Sequence, residues 1–526
     1  MYGKVISACL HGVEGKGIEV EIDLSNGLPQ VNLVGLPDTA VKESIERVRS
    51  AIKNCGFTFP MERITINLAP ADLRKEGTSF DLAIAAGILI TSKQLVCDEI
   101  EQTLFLGELA LDGSIRPVPG VLSMVHSAKQ RGMKRMIVPH ANAAESLLIS
   151  DIEVYAVRTL RDLKDLATTR VKHADELQPE TSLPSPGLQT HSSSKDSYLF
   201  EKDDFADVRG QQTAKRAMVI AASGMHNVLL IGPPGTGKTM LIRRLPSIMP
   251  LMEEEESLEV TKIYSAAGKL TNQLETIIKR PFRSPHHTVS AAGLVGGGSN
   301  PKPGEVSLAH RGVLFLDELP EFSRNVLEVL RQPLEDRMVT IGRARAVYTF
   351  PAQLLLASSM NPCPCGFYGS GDSITQPCTC SQLKIQQYRS RLSGPLLDRI
   401  DMHVEVPKPD FAVLTSEQES LSSAEMGEMV NRALKKQRER YKGASIRFNS
   451  ELSGKLLRKV CKLDEPTQKM LEQSFEMLGL SVRAHDRILR IARTIADIEN
   501  SPNIELPHLA EALQYRALDK KQQDHY

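Results

Sequence analysis

The chain has 526 residues, 41% of them hydrophobic, and its 64 Lys and Arg balance 64 Asp and Glu. The length predicts roughly three or four domains of ordinary globular composition, and the neutral balance excludes a global field that draws in nucleic acid. Any polyanion would have to be held by local basic surface, so the charge neither supports nor excludes DNA. No stretch reaches spanning length, and the N-terminal run MYGKVISACLHGVEGKG is broken by Lys4, His11 and Glu14. The chain reads as cytoplasmic, with no membrane partner.

Residues 1–167 alternate strand and helix signals. Ile18, Val20, Ile22 and Leu24 recur at period two, as do Ile64, Ile66 and Leu68, which predicts two half-buried strands. Between them Val41, Ile45, Val48 and Ile52 share one helical face, with Asp38 or Thr39 to cap the start and Gly56 beyond the end. Residues 168–203 turn polar and rich in Pro, Ser and Thr, the composition of a flexible linker. From 204 to 410 apolar strands alternate again with helices, an α/β pattern, and from 411 to 526 the remainder is helical, with Ile488, Ile491, Ile495 and Ile498 forming one buried stripe.

The most specific chemistry lies in the run GPPGTGKT, entered from the apolar strand NVLLI. Gly232, Pro233, Pro234, Gly235, Thr236 and Gly237 form a loop whose glycines would let backbone N–H groups turn inward on the phosphates, Lys238 would reach the β- and γ-phosphates of ATP, and the Thr239 hydroxyl would hold Mg²⁺. A second strand, Val313 to Leu316, ends in Asp317 and Glu318, placing one carboxylate for the Mg²⁺ shell and one to polarise the attacking water. A third, Leu354 to Ala357, leads through Ser358 and Ser359 to Asn361, either a polar sensor of the γ-phosphate or a turn residue before Pro362. Arg399, between Asp398 and Asp401, and Arg483, just after the capping Ser481, are either phosphate contacts or surface salt bridges.

Of eight cysteines, Cys9, Cys55, Cys97 and Cys461 are scattered, whereas Cys363, Cys365, Cys378 and Cys380 form two CxC pairs. Four thiols around a Gly-rich turn suit structural Zn²⁺, the alternative being reduced cysteines in a Pro-constrained loop. The segment Met338 to Phe350 reads as a hairpin with a GRAR tip, where Arg343 and Arg345 would grip DNA phosphates without reading bases or would simply protect a strand edge. The segment Arg280 to Gly312 carries Gly296, Gly297 and Gly298, a loop free to approach a partner, and its adjacent His286 and His287 are expected to diverge as loop structure.

From DFADVRGQQTAKRA through LLDRID to SVRAHDR the sequence resembles the magnesium-chelatase-like branch of the AAA+ ATPases. That resemblance implies a P-loop NTPase core with a C-terminal helical lid. It assigns Lys238 and Thr239 to Walker A, Asp317 and Glu318 to Walker B, Asn361 to sensor 1, Arg399 to the arginine finger and Arg483 to sensor 2. It identifies Arg280–Gly312 with the helix-2 insert and Met338–Phe350 with the hairpin before sensor 1. It implies rings, usually hexamers, and an ATP-driven motor on branched or single-stranded DNA in recombination and natural transformation; the alternative is a chelatase-like ATPase that remodels a protein partner.

Within residues 1–167, APADLRKEGTSFDLAIAAGIL and FLGELALDGSIRPVPGV resemble the proteolytic domain of Lon, an α+β fold of the ribosomal S5 domain 2 type. Ser79 falls where that family has its nucleophile. The lysine that would activate it is missing: Leu122 takes its place, Lys129 lies about two helical turns too late and Lys75 falls on the wrong side of the motif. The resemblance therefore implies an inactive Lon-like fold used for assembly or binding.

Overall fold

The computed structural model describes residues 1–97, 99–173, 176, 203–270, 276–298, 301–343, 346–369, 377–409 and 420–516. Residues 2–171 build an eight-stranded mixed sheet in the order Arg170–Val171, Glu153–Val157, Arg135–Pro139, Thr103–Phe105, Tyr2–His11, Glu14–Ser25, Arg63–Ala69, Gln30–Val34. The period-two residues Ile18, Val20, Ile22, Ile64, Ile66 and Leu68 are fully buried against helices Thr39–Asn54 and Asp81–Thr91, where each contributes about 1.5–3 kcal/mol. Asp38 caps the first of these helices, its carboxylate accepting the Val41 N–H at 2.8 Å. The polar stretch read as a linker begins with strand Arg170–Val171, which pairs antiparallel with Glu153–Val157 because its backbone completes that sheet edge.

The second sheet is parallel and five-stranded, in the order Phe282–Arg283, Val313–Leu316, Leu355–Met360, Val228–Ile231, Met402–Glu405. Val228–Ile231, Val313–Leu316 and Leu355–Met360 are buried throughout, as strands covered on both faces must be. One face packs on helix Gln212–Gly224 and, through it, on the C-terminal helices Ser423–Arg440 and Val482–Ile498. The stripe on Val482–Ile498 is buried as its spacing predicts, and Ser481 caps that helix by accepting the Ala484 N–H at 3.1 Å.

The two sheets meet through elements that flank the nucleotide-type motifs. The Ser265 carbonyl, at the end of helix Glu254–Ala266, accepts the Gly120 N–H at 3.0 Å, and the Ser265 hydroxyl donates to Glu145 at 2.6 Å. His11, in the first hairpin of the chain, stacks on Tyr348 with ring centroids 4.8 Å apart and lies 3.1 Å from the Val347 carbonyl. The first domain thus touches both the helix that leads into the insert and the return strand of the arginine hairpin. No helix of the described residues is long and apolar enough to cross a membrane.

Candidate active site

The loop between strand Val228–Ile231 and helix Lys238–Arg243 is shaped by glycines. Gly235 (φ +77°) and Gly237 (φ +87°) hold left-handed backbone that an L side chain resists, and a Cβ built on either would project into open space. Open space at a helix N-terminus leaves backbone N–H groups accessible to an anion. Lys238, buried over it, donates to the Gly232 and Pro233 carbonyls at 2.7 Å each and to Asn361 Oδ1 at 3.3 Å. Burial lowers the pKa of its ammonium while Asp317 and Glu318 pull it back up. A buried cation held only by neutral oxygens is a site that an anion completes.

Sheet register brings the remaining groups to the same edge. Leu316 pairs with Ser358 and Ile231 with Met360, so the residues just beyond each strand end are neighbours. The Thr239 hydroxyl donates to Asp317 Oδ2 at 3.0 Å, while Asp317 Oδ1 accepts the Glu318 N–H at 3.1 Å and the Ser359 hydroxyl. A hydroxyl paired with a carboxylate is the donor set that suits Mg²⁺ between them. Glu318 is exposed and sits in left-handed backbone at φ 53°, a strain of about 1–3 kcal/mol. Ser359 was not singled out from the sequence; the signal for it is an apolar strand that ends in two hydroxyls beside an acid-tipped strand.

Arg399 and Arg483 lie elsewhere. Asn227, immediately before Val228, donates its side-chain amide to the Arg399 carbonyl at 3.1 Å, which fixes Arg399 at the amino edge of the sheet. The four-residue strand Val228–Ile231 separates that edge from the phosphate loop by about 13 Å. Arg399 is buried, donating to the Pro395 carbonyl at 2.7 Å and to Glu335. Arg483 is exposed on the same side, 3.7 Å from Asp398 and 3.6 Å from Glu335. Glu335 carries no local sequence signal, since its two partners are far along the chain.

The four clustered cysteines converge with all sulfurs within 4.8 Å of one another. The Sγ separations Cys363–Cys365, Cys363–Cys378 and Cys365–Cys378 are 3.3, 3.8 and 3.5 Å. Tetrahedral Zn–S bonds of about 2.3 Å place sulfurs about 3.8 Å apart, so the donor set fits Zn²⁺. This loop abuts the phosphate loop: a Cβ on Gly366 would fall 2.6 Å from Pro234 Cδ, an approach that only glycine permits.

Strands Met338–Arg343 and Ala346–Pro351 form the hairpin, with Arg343 facing Ala346 across the tip and donating to the Gly298 carbonyl. Arg345 lies outside the described residues. The expectation that the His286 and His287 rings diverge is corrected: their centroids lie 4.0 Å apart with the planes tilted by 36°, and His287 meets Phe322 edge-on at 6.4 Å.

Three family models match in succession: "Subunit ChlI of Mg-chelatase" over residues 20–142, "Magnesium chelatase, subunit ChlI" over 204–414 and "Magnesium chelatase, subunit ChlI C-terminal" over 420–516. Competence protein ComM of Haemophilus influenzae is 44% identical over 98% of this chain and 97% of its own length. Protein YifB of Salmonella typhimurium is 44% identical over 97% and 96%. The chain belongs to the magnesium-chelatase-like ComM/YifB family. A shorter match, 28% identity over 28% of this chain and 29% of the relative, is to Lon protease 2 of Bacillus subtilis.

In this ComM/YifB chain the serine expected as a Lon-type nucleophile has no activating base among its hydrogen-bond partners. The Ser79 hydroxyl donates to the Ala8 carbonyl at 3.2 Å, and Leu122 is fully buried. Lys129 is tied to Ser150 and Asp151 at 3.2 and 3.3 Å, and Lys75 is buried with its amine on the Pro70 carbonyl.

Proposed function

We propose that this chain is an ATP-hydrolysing ring motor acting on DNA, in which each nucleotide site is completed by the next subunit. The observation that carries the reading is the separation of the two half-sites: Arg399 stands on the edge opposite its own phosphate loop, too far for its side chain to reach. Lys238 would neutralise charge on the β- and γ-phosphates, and Thr239 with Asp317 would hold Mg²⁺, which supplies charge neutralisation between the phosphates. Glu318 would orient the attacking water and take its proton, while Asn361, bonded to Lys238, would read the γ-phosphate. Arg399 and Arg483 of a neighbouring copy would stabilise charge building in the transition state.

A hexamer would place the hairpins around a common axis, with Arg343 and Arg345 towards the pore. Phosphate-only contacts of that kind suit a motor that moves branched or single-stranded DNA regardless of sequence. A competence protein as a near full-length relative supports DNA as the cargo. The first domain, packed on the hairpin through His11 and Tyr348, would serve assembly or binding rather than proteolysis. The Cys363, Cys365, Cys378 and Cys380 cluster would bind structural Zn²⁺. Matches to magnesium chelatase subunit models along the chain favour a second reading, an ATPase that remodels a protein partner.

Branched DNA separates the two. The expected result is binding weakened by salt and accelerated ATP hydrolysis by the purified ring, with Arg343→Ala reducing both DNA effects; ring size checked by sedimentation controls for assembly. A ring that neither binds branched DNA nor responds to it would refute the motor on DNA and leave the remodelling reading.

A further inference from the structure

We propose that Glu335 is a positioning residue for hydrolysis, its carboxylate holding Arg399 and Arg483 as one unit presented to a phosphate on a second copy of this chain. This inference rests on the shared-site reading above. Glu335 stands near the end of helix Arg331–Asp336, and one carboxylate oxygen accepts Arg399 Nη2 while the other lies 3.6 Å from Arg483 Nη2. Three elements distant in sequence therefore meet on a single carboxylate: that short helix, the turn before strand Met402–Glu405, and the first turn of C-terminal helix Val482–Ile498.

The two arginines have few other anchors. Arg399 is more than nine-tenths buried, its Nη1 is satisfied by the Pro395 carbonyl, and its Nε has no partner among the described residues. Among the described residues Arg483 has, besides Glu335, a second and longer approach to Asp398 at 3.7 Å, and Asp398 in turn accepts the hydroxyl of the capping Ser481 at 3.1 Å. Two guanidiniums brought this close repel one another unless a carboxylate lies between them. Arg399 and Glu335 also line a cavity of about 500 Å³ with Arg331 and Gln332. Glu335 and Arg483 are roughly half exposed beside it, with side-chain exposures of 48% and 59%. A phosphate entering from a neighbouring molecule would meet the two cations already oriented.

Steady-state ATP hydrolysis by the full-length ring tests this in two backgrounds. In the wild-type background Glu335→Ala is expected to lower kcat about 10²-fold, the scale of an ångström-level misplacement, with KM for ATP little changed, and Glu335→Gln, which keeps the acceptor oxygen, is expected to fall between. In an Arg399→Ala, Arg483→Ala background Glu335→Ala is expected to cost nothing further, because a residue that acts through these two arginines then has nothing left to position. Equal losses in both backgrounds would mark a structural role and overturn the proposal. So would an unchanged or raised kcat for both Glu335 variants with ring size preserved. If Arg399→Ala by itself leaves kcat intact, the shared-site reading falls first, a failure distinct from that of Glu335.

Discussion

The two edges of the parallel sheet are differently finished. At the carboxyl edge Lys238, Thr239, Asp317, Ser359 and Asn361 already touch one another, and the glycines beside them leave open space. At the amino edge Arg399 and Arg483 are paired with carboxylates of their own chain, beside a cavity. In the reading proposed above, the first edge would hold the nucleotide, and the second would turn its paired arginines towards a phosphate on a neighbouring copy. Under that reading assembly would be part of the chemistry, because joining copies would juxtapose the unlike edges.

The largest effects should separate the edges. Lys238→Ala is expected to abolish nucleotide binding and hydrolysis together, whereas Arg399→Ala is expected to retain binding and lose about 10³-fold in kcat. Equilibrium titration with a labelled nucleotide, run beside turnover, checks both; equal loss of binding in the two variants would break the contrast. A smaller effect concerns the carboxyl edge alone. Cys363→Ser with Cys365→Ser is expected to remove about one Zn²⁺ per chain by metal analysis. Because Gly366 packs on Pro234, the same variant is expected to weaken nucleotide affinity several-fold while leaving the Arg399 edge untouched.

The smallest effect sharpens the amino edge, where core and C-terminal helices are joined by His226. Its ring is fully buried, 2.7 Å from the Thr494 hydroxyl, and burial pushes its pKa down to about 4 against a partial pull from Asp401. Below the unfolded value of about 6.5 the unfolded chain takes up a proton that the folded chain refuses. Stability is therefore expected to fall as pH drops from 6.5 towards 4, by at most about 1.4 kcal/mol per unit from this group. Urea unfolding at a series of pH values checks the slope, which His226→Gln should flatten.

Much of the carboxyl edge was legible in the sequence because its chemistry is local. Val313–Leu316 is a run of apolar residues bounded by Gly312 and Asp317, and the strand occupies those residues. Gly235 and Gly237 announce a turn that only glycines make. The first-domain strands and the C-terminal stripe were equally readable, since periods of 2 and 3.6 survive in one dimension. Glu335 was not, because it meets Arg399 and Arg483 across 64 and 148 positions and no short-range pattern encodes such a meeting. The close approach of the His286 and His287 rings was misread for a related reason: adjacency along the chain does not by itself set ring orientation. Ser79 shows the opposite limit, a motif position whose chemistry depends on a base that the fold does not bring to it.

Mixing two inactive chains tests the shared site most directly. Lys238→Ala and Arg399→Ala rings, each silent alone, should regain ATP hydrolysis when dissociated and reassembled together, since some interfaces then pair an intact phosphate loop with an intact arginine from the neighbour. Mixed rings of confirmed composition that stay as inactive as the parents would contradict a site built from two subunits.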